Sequence, residues 1–338
     1  MCGIFGYVGK GNAVKIVYEG LNTLEYRGYD SWGIAYNQKG KLTTQKEIGK
    51  LPLTLNTTTF SNLSIGHTRW ATHGGVVRKN AHPHVDCTGT IAVVHNGIIE
   101  NYSNLKANLV KNGHKFKSET DTEVFSHLIE EFSQNMSFDK SLRKAFGVIE
   151  GLNAFLIINS RTEKLYAVKN GSPMVIGEGK SGDFYIASDP TGIMRYTNKV
   201  FFVEDNIFLE IGNSIKSQNK TGKSERIVFQ TLSWQNQSPS KGKFKHFLLK
   251  EIFEQPECIQ NVVNRDNSEI EHFAKRIKDA YGTYAIGCGT ASYAALAGQY
   301  LFSKIAGKHI NFSVGSEFTY LQDFLTKKSA VLAISKVS

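Results

Sequence analysis

The chain has 338 residues, 41% hydrophobic and 21% charged, a composition that gives room for two folded domains and excludes disordered and fibrous classes. Its 40 Lys and Arg against 30 Asp and Glu leave a formal charge of +10, which favours anionic partners. The excess sits in polar stretches such as KSQNKTGKSER without interleaved aromatic residues, so nucleic acid is not expected, and no apolar run approaches the ~18 residues of a membrane span.

In chain order, the opening MCGIFGYVGK lacks the charged and long apolar regions of a secretory signal, so a cytoplasmic protein is expected. Cys2, Cys87, Cys258 and Cys288 are far apart, form no CxxC pair and read as free thiols. From Cys2 to about residue 212, short β-rich runs are separated by turn signals: CGIFGYV, WGIAYN, LSIGHTRW, TIAVVHNGII, AFLIINS, KLYAVKN, DFYIASD and VFFVEDNIFLEIG. Helical spacing marks AVKIVYEGLNTLEY, NYSNLKANLVKNG and DTEVFSHLIEEFSQ, so the class is α+β, with helices on antiparallel sheets. The stretch from Ser214 to Lys245 reads as a peripheral strand, IVFQTLSW, followed by a linker. Beyond it FLLKEIFEQPECIQNVV, EIEHFAKRIKDAY, TYAIGCG, SYAALAGQYLFSKIAG, HINFSVG, a further helix and AVLAIS alternate as a parallel βαβ sheet would. The expected domains are therefore residues 2–237, with a core of about 2–215, a linker at 238–250 and a second domain at 251–338. Three strands are few for such a sheet, and the second domain is expected to be truncated.

Cys2 is the candidate nucleophile. Once Met1 is removed, a thiol and a free α-amine share one residue, and an amine of pKa ~7.7–8.0 can take the thiol proton without a histidine. Read alone, such a cysteine is equally a small apolar residue opening a strand. Gly3 and Gly6 leave room for close approach to it.

The start CGIFG resembles that of class II glutamine amidotransferases, and further matches follow in order: EYRGYDS (25–31), GHTRWATHG (66–74), NAHPH (80–84), HNGIIEN (95–101), SETDTE (118–123) and GSPMVIG (171–177). The wording of EYRGYDS, HTRWATHG and NAHPH is similar to that of the glutamine–fructose-6-phosphate aminotransferases, as are KEIFEQP (250–256) and GCGTASY (287–293). The resemblance implies the αββα sandwich of N-terminal-nucleophile hydrolases, followed by a truncated α/β sugar-isomerase (SIS) domain. It also implies glutamine and fructose 6-phosphate as substrates, no cofactor, and a homodimer built through the sugar domains.

Attack on an amide creates an oxyanion, for which the Asn96 side chain and the Gly97 N–H are the expected donors. By spacing alone Asn-Gly also reads as a hairpin turn. Free glutamine calls for a guanidinium and a carboxylate, and Arg69 and Asp121 match the family positions that supply them. The resemblance makes Trp70 part of a gate and Thr72 and His73 part of the pocket wall. His67, His73, His82, His84 and His95 have no metal-ligand spacing, so no metal is expected. Thr290 and Ser292 open a helix where phosphate would bind, or simply cap it; GSEF with Glu317 is a further match.

At Ser335 the chain departs from the family's serine-rich second phosphate loop, reads Lys336, Val337 and Ser338, and stops. The expectation is an intact glutaminase half joined to an incomplete synthase half. The alternatives are a stand-alone glutaminase subunit or a non-catalytic fragment that binds glutamine or sugar phosphate.

Overall fold

The computed structural model describes residues 2–52, 54–55, 57–232, 243–264 and 268–335. They form two compact units, Met1–Ser240 and Lys241–Ser338. The first unit runs β1 (Gly3–Val8), α1 (Ala13–Leu24), β2 (Ser31–Gln38), β3 (Lys41–Ile48), β4 (Leu63–Arg69), β5 (His84–Val85), β6 (Ile91–Gly97), α2 (Tyr102–Lys111), α3 (Glu123–Ser133), α4 (Phe138–Val148), β7 (Asn153–Asn159) and β8 (Lys164–Asn170). It continues through β9 (Val175–Glu178), β10 (Phe184–Ala187), β11 (Lys199–Phe202), β12 (Phe208–Ile211), β13 (Ile215–Gln218) and β14 (Gln230–Thr231).

Among the described residues, one antiparallel sheet has the spatial order β14-β11-β9-β10-β1-β4-β2-β3, and a second has the order β13-β12-β8-β7-β6-β5. Alternation along the strands stacks four layers. Ile4 and Val8 of β1 and Leu63 and Ile65 of β4 pack against Ala92, Val94, Leu156 and Ile158 of the second sheet. Phe5 and Tyr7 point the other way, onto Val14, Val17 and Leu21 of α1. On the outer face of the second sheet, Val93, Phe155 and Ile157 meet Phe125 and Ile129 of α3 and Leu142 and Phe146 of α4. With both faces covered, β1, β4 and β7 are buried along their whole length, their polar residues included. Fully burying one such Leu, Ile or Phe side chain stabilises the fold by roughly 1.5–3 kcal/mol.

Several elements depart from the sequence reading. VFFVEDNIFLEIG is two strands in different sheets: Asn206 turns the chain at φ +63° between them. Helix α4 and strands β3, β5, β9 and β13 were not anticipated. The expected linker at 238–250 is already helical from Phe247, and its residues 238–242 lie outside those described.

The second unit contains α5 (Phe247–Val263), α6 (Ser268–Asp279), β15 (Thr283–Gly287), α7 (Thr290–Ala306), β16 (Asn311–Val314) and β17 (Ala330–Ile334). Strand β15 lies between β16 and β17, parallel to both. The further helix expected before β17 is a 3-10 helix, Gly315–Phe324. The buried apolar cluster is small, Ala285, Ala295 and Ile310, while Phe253, Ile305 and Tyr320 are each more than 60% exposed. No described helix is long and apolar enough to cross a membrane.

Candidate active site

Three strand ends meet around Cys2. It precedes β1, whose Gly3 pairs with Thr68 at the end of β4, so Trp70 comes alongside: its N–H donates to Cys2 Sγ at 3.2 Å. From the end of β6 in the other sheet, Asn96 Nδ2 donates to the Cys2 carbonyl at 3.0 Å. Arg27 Nε donates to the same carbonyl at 3.1 Å. Backbones come this close because Gly3 and Gly28 carry no Cβ. One at Gly3 would lie 2.6 Å from Thr68 Oγ1, and one at Gly28 2.8 Å from the Trp70 nitrogen. The half-buried thiol is pushed up by burial, against the pull of the Trp70 N–H and the Arg69 and Arg27 guanidinium groups. Among the described residues, no histidine is hydrogen-bonded to it.

Asn96 is buried and its orientation is fixed from behind. His67 Nε2 lies 2.8 Å from the His95 carbonyl and 3.2 Å from Asn96 Oδ1. Both partners are acceptors, so Nε2 carries the proton, and the Asn96 amide must turn its N–H groups toward Cys2. Burial lowers the His67 pKa to about 3, so this donor is a neutral imidazole. His82 packs against His67 with ring centroids 4.1 Å apart and planes tilted by 36°, and His84 meets His82 edge-on at 4.8 Å. Burial holds His82 and His84 well below the usual histidine range and lowers His95, whose ring stacks on Phe155 at 4.3 Å. These residues form a neutral structural column behind the strand ends.

Gly97 follows Asn96 at φ +130°, and a Cβ there would approach the Leu152 carbonyl oxygen to 2.1 Å. The N–H of Ile99 donates to Asp121 Oδ2 at 2.7 Å, which places the buried Asp121 carboxylate beside this turn. Arg69 is also buried; its guanidinium donates to the carbonyls of His73, of Gly74 at 3.2 Å and of Gly75 at 3.3 Å. That loop is braced by Asn80, which donates to the Gly75 carbonyl and to Glu119 Oε2, each at 3.0 Å. Trp70 is 48% exposed and meets Tyr29 edge-on at 6.0 Å. Thr72 is exposed, and His73 stands edge-on to Tyr102 at 5.6 Å.

Cys2, Trp70 and Asn96 are therefore in direct contact, with Gly97 and Arg69 next in chain to two of them. Thr290 and Ser292 belong to the other unit. There Ser292 Oγ donates back to the Gly289 carbonyl at 2.6 Å and does not cap the helix, whose N-cap is Gly289, and Thr290 and Glu317 are exposed. A separate cleft of about 690 Å³ in that unit is lined by Arg276, Lys328 and Leu332 and includes neither Thr290 nor Ser292.

Sequence reasoning gave no role to Arg27, although EYRGYDS contains it; besides holding Cys2 it forms a 3.0 Å ion pair with Asp189. It also gave none to Asp30, which accepts the Ala71 N–H at 2.9 Å and so holds the chain just past Trp70. The expectation of no metal considered the five histidines near the site. The group that could hold one among the described residues is a different set, Cys87, His114, His127 and Glu130.

Residues 67–195 match a family model described as a glutamine amidotransferase domain. Along 99% of its length the chain is 39% identical to the glutamine–fructose-6-phosphate aminotransferases (isomerizing) of Thermococcus kodakarensis and of Aquifex aeolicus, covering 57% of each. It thus spans somewhat over half the length of these curated relatives. A solved structure titled the allosteric regulatory enzyme of purine biosynthesis aligns over 65% of this chain and 49% of its own, with 28% identity and a TM-score of 0.57. The glutamine phosphoribosylpyrophosphate amidotransferase of B. subtilis covers 93% of this chain and 66% of its own with the same TM-score; at 22% identity it supports the fold alone.

Proposed function

We propose, from the premise that this chain is a homologue of the glutamine–fructose-6-phosphate aminotransferases, that its first unit is a glutaminase with Cys2 as nucleophile. The observation that carries this reading is the seating of the Cys2 thiol on the Trp70 N–H while Asn96, oriented by neutral His67, directs its amide at the same residue.

Glutamine binds with its α-carboxylate on Arg69 and its ammonium on Asp121, under a wall formed by Trp70, Thr72 and His73. The Cys2 α-amine, free once Met1 is removed, accepts the thiol proton, since His67, His82, His84 and His95 are held neutral by burial and, among the described residues, no histidine is hydrogen-bonded to the sulfur. The thiolate attacks the side-chain amide, and the second Asn96 N–H and the Gly97 N–H hold the oxyanion. The ammonium of Cys2 then protonates the leaving nitrogen, ammonia departs, and water hydrolyses the thioester to glutamate. Arg69 reaches its ligand with the N–H groups not already given to residues 73–75, so that loop is fixed before glutamine arrives.

The second unit is read as a sugar-isomerase domain, with Thr290 and Ser292 at the phosphate end of α7, contributing to an acceptor site for fructose 6-phosphate. Its small buried cluster and exposed apolar side chains support a unit that packs against further protein. Glutamate release from glutamine, lost in Cys2→Ala, tests the glutaminase reading; equal release by Cys2→Ala would overturn it.

A further inference from the structure

Around the start of α3, beside the segment that carries Asp121, four side chains from three segments converge. Cys87 follows β5, His114 lies in the loop after α2, and His127 and Glu130 stand one turn apart on α3. One donor atom from each lies within 4.8 Å of all the others. Cys87 Sγ is 3.7 Å from His114 Nδ1 and 3.5 Å from His127 Nδ1. Glu130 Oε2 is 3.0 Å from each of those nitrogens.

These separations are close to the edges of a coordination tetrahedron. Zinc bonds of ~2.3 Å to sulfur and ~2.0–2.1 Å to nitrogen and oxygen give S···N edges of about 3.6 Å and N···O edges of about 3.3 Å. The outer contacts fit as well. His114 Nε2 meets Glu131 Oε2 at 2.9 Å, and His127 Nε2 faces Glu123 Oε1 at 3.6 Å, so each imidazole turns one nitrogen to the common point and the other to a carboxylate. The Lys115 N–H points at Cys87 Sγ at 3.4 Å, a donor suited to a thiolate.

Protons alone satisfy this arrangement poorly. For every ring nitrogen to donate to its carboxylate, both imidazoles must be charged while their centroids lie only 5.1 Å apart. A divalent cation in place of the two inner protons, with the thiol ionised, gives two neutral imidazoles, one thiolate, one carboxylate and zero net charge.

We propose that Cys87, His114, His127 and Glu130 form a closed four-ligand site for a divalent first-row cation, zinc foremost. Its role is structural. It ties the loop after β5 and the loop after α2 to α3, whose first residue, Glu123, accepts the N–H groups of Lys117 and Ser118 at 2.8 and 2.6 Å. The bound ion thereby steadies the 118–122 segment that carries Asp121.

Titration of the metal-stripped full chain with Co2+ is the test. One molar equivalent should bind with tetrahedral visible bands and a thiolate-to-cobalt charge-transfer band, and Zn2+ should displace it and raise Tm. Cys87→Ser, at an exposed position that spares the fold, should lose the charge-transfer band and weaken binding at least tenfold; Glu130→Gln should weaken binding and keep the band. A Cys2→Ala background, which removes the other thiol–amine chelator, should leave all of this unchanged. Absence of stoichiometric binding, or binding and Tm gain that survive Cys87→Ser, would overturn the site.

Discussion

Asn96→Ala separates the chemical from the structural work of one side chain. The substitution removes a 3.0 Å bond to the Cys2 carbonyl and a 3.2 Å bond from His67. Neither partner is orphaned, because Arg27 Nε still reaches the Cys2 carbonyl and His67 Nε2 still reaches the His95 carbonyl. Only net hydrogen-bond energy is lost, roughly 1–2 kcal/mol for the two, with no penalty for a buried unpaired group. In a unit of this size that lowers Tm by roughly 2–8 °C. An oxyanion donor is worth far more in the transition state: its removal costs about 10²–10³-fold in kcat, or about 2.7–4 kcal/mol. The expected pattern is therefore a folded protein whose Cys2 is still alkylated by iodoacetamide, with KM for glutamine within a few-fold of wild type and kcat down by that factor. A variant that keeps kcat within threefold would refute the oxyanion assignment. One that loses alkylation and turnover together would mean that Asn96 acts by holding Cys2 in place.

Other outcomes follow from neighbouring features. His67 has its folded pKa lowered to about 3, and burial also lowers His82, His84 and His95, so below pH 6.5 the unfolded chain takes up protons that the fold refuses. Stability should fall from pH 6.5 downward by up to ~1.36 kcal/mol per pH unit for each histidine involved, and a urea midpoint unchanged between pH 7 and 5 would contradict it. Gly97→Ala places a methyl 2.1 Å from the Leu152 oxygen at φ +130°, so β6 must shift at its end; lost glutaminase activity with a lowered Tm is expected, and wild-type kcat would count against the close approach. Arg27→Ala leaves Asp189 without its 3.0 Å partner; since Asp189 keeps 20% of its side chain exposed, the loss should be roughly 2–3 kcal/mol, below the range of fully buried pairs, as read by chemical denaturation.

What the sequence revealed depended on how local its cause was. Strands buried on both faces, such as CGIFGYV and AFLIINS, are dominated by apolar residues and stood out. Strand β3, KLTTQKEI, is an edge strand with polar side chains at most positions, and it did not. The boundary between β11 and β12 is a single turn at Asn206, invisible in a run as apolar as VFFVEDNIFLEIG. In the candidate site, Cys2, Arg69, Asn96 and Asp121 were legible as residue types placed in recognisable motifs. Arg27 was not, because its bond to the Cys2 carbonyl exists only once the 3-10 helix at 25–27 is brought next to the residue that precedes β1. The cluster at Cys87 was equally hidden: only His127 and Glu130 share a helical turn, and the other two arrive through tertiary packing.

The meeting of Cys2 with Asn96 spans two sheets, since β1 belongs to one and β6 to the other. Neither sheet alone holds both partners, and the layer between them is a dry core that must be fully interlocked to hold them in reach. Turnover is then a late event in refolding. A collapsed intermediate with native helix and strand content but unlocked side chains should register in far-ultraviolet circular dichroism while releasing no ammonia, so enzymatic recovery should lag secondary structure and coincide with the return of near-ultraviolet signal.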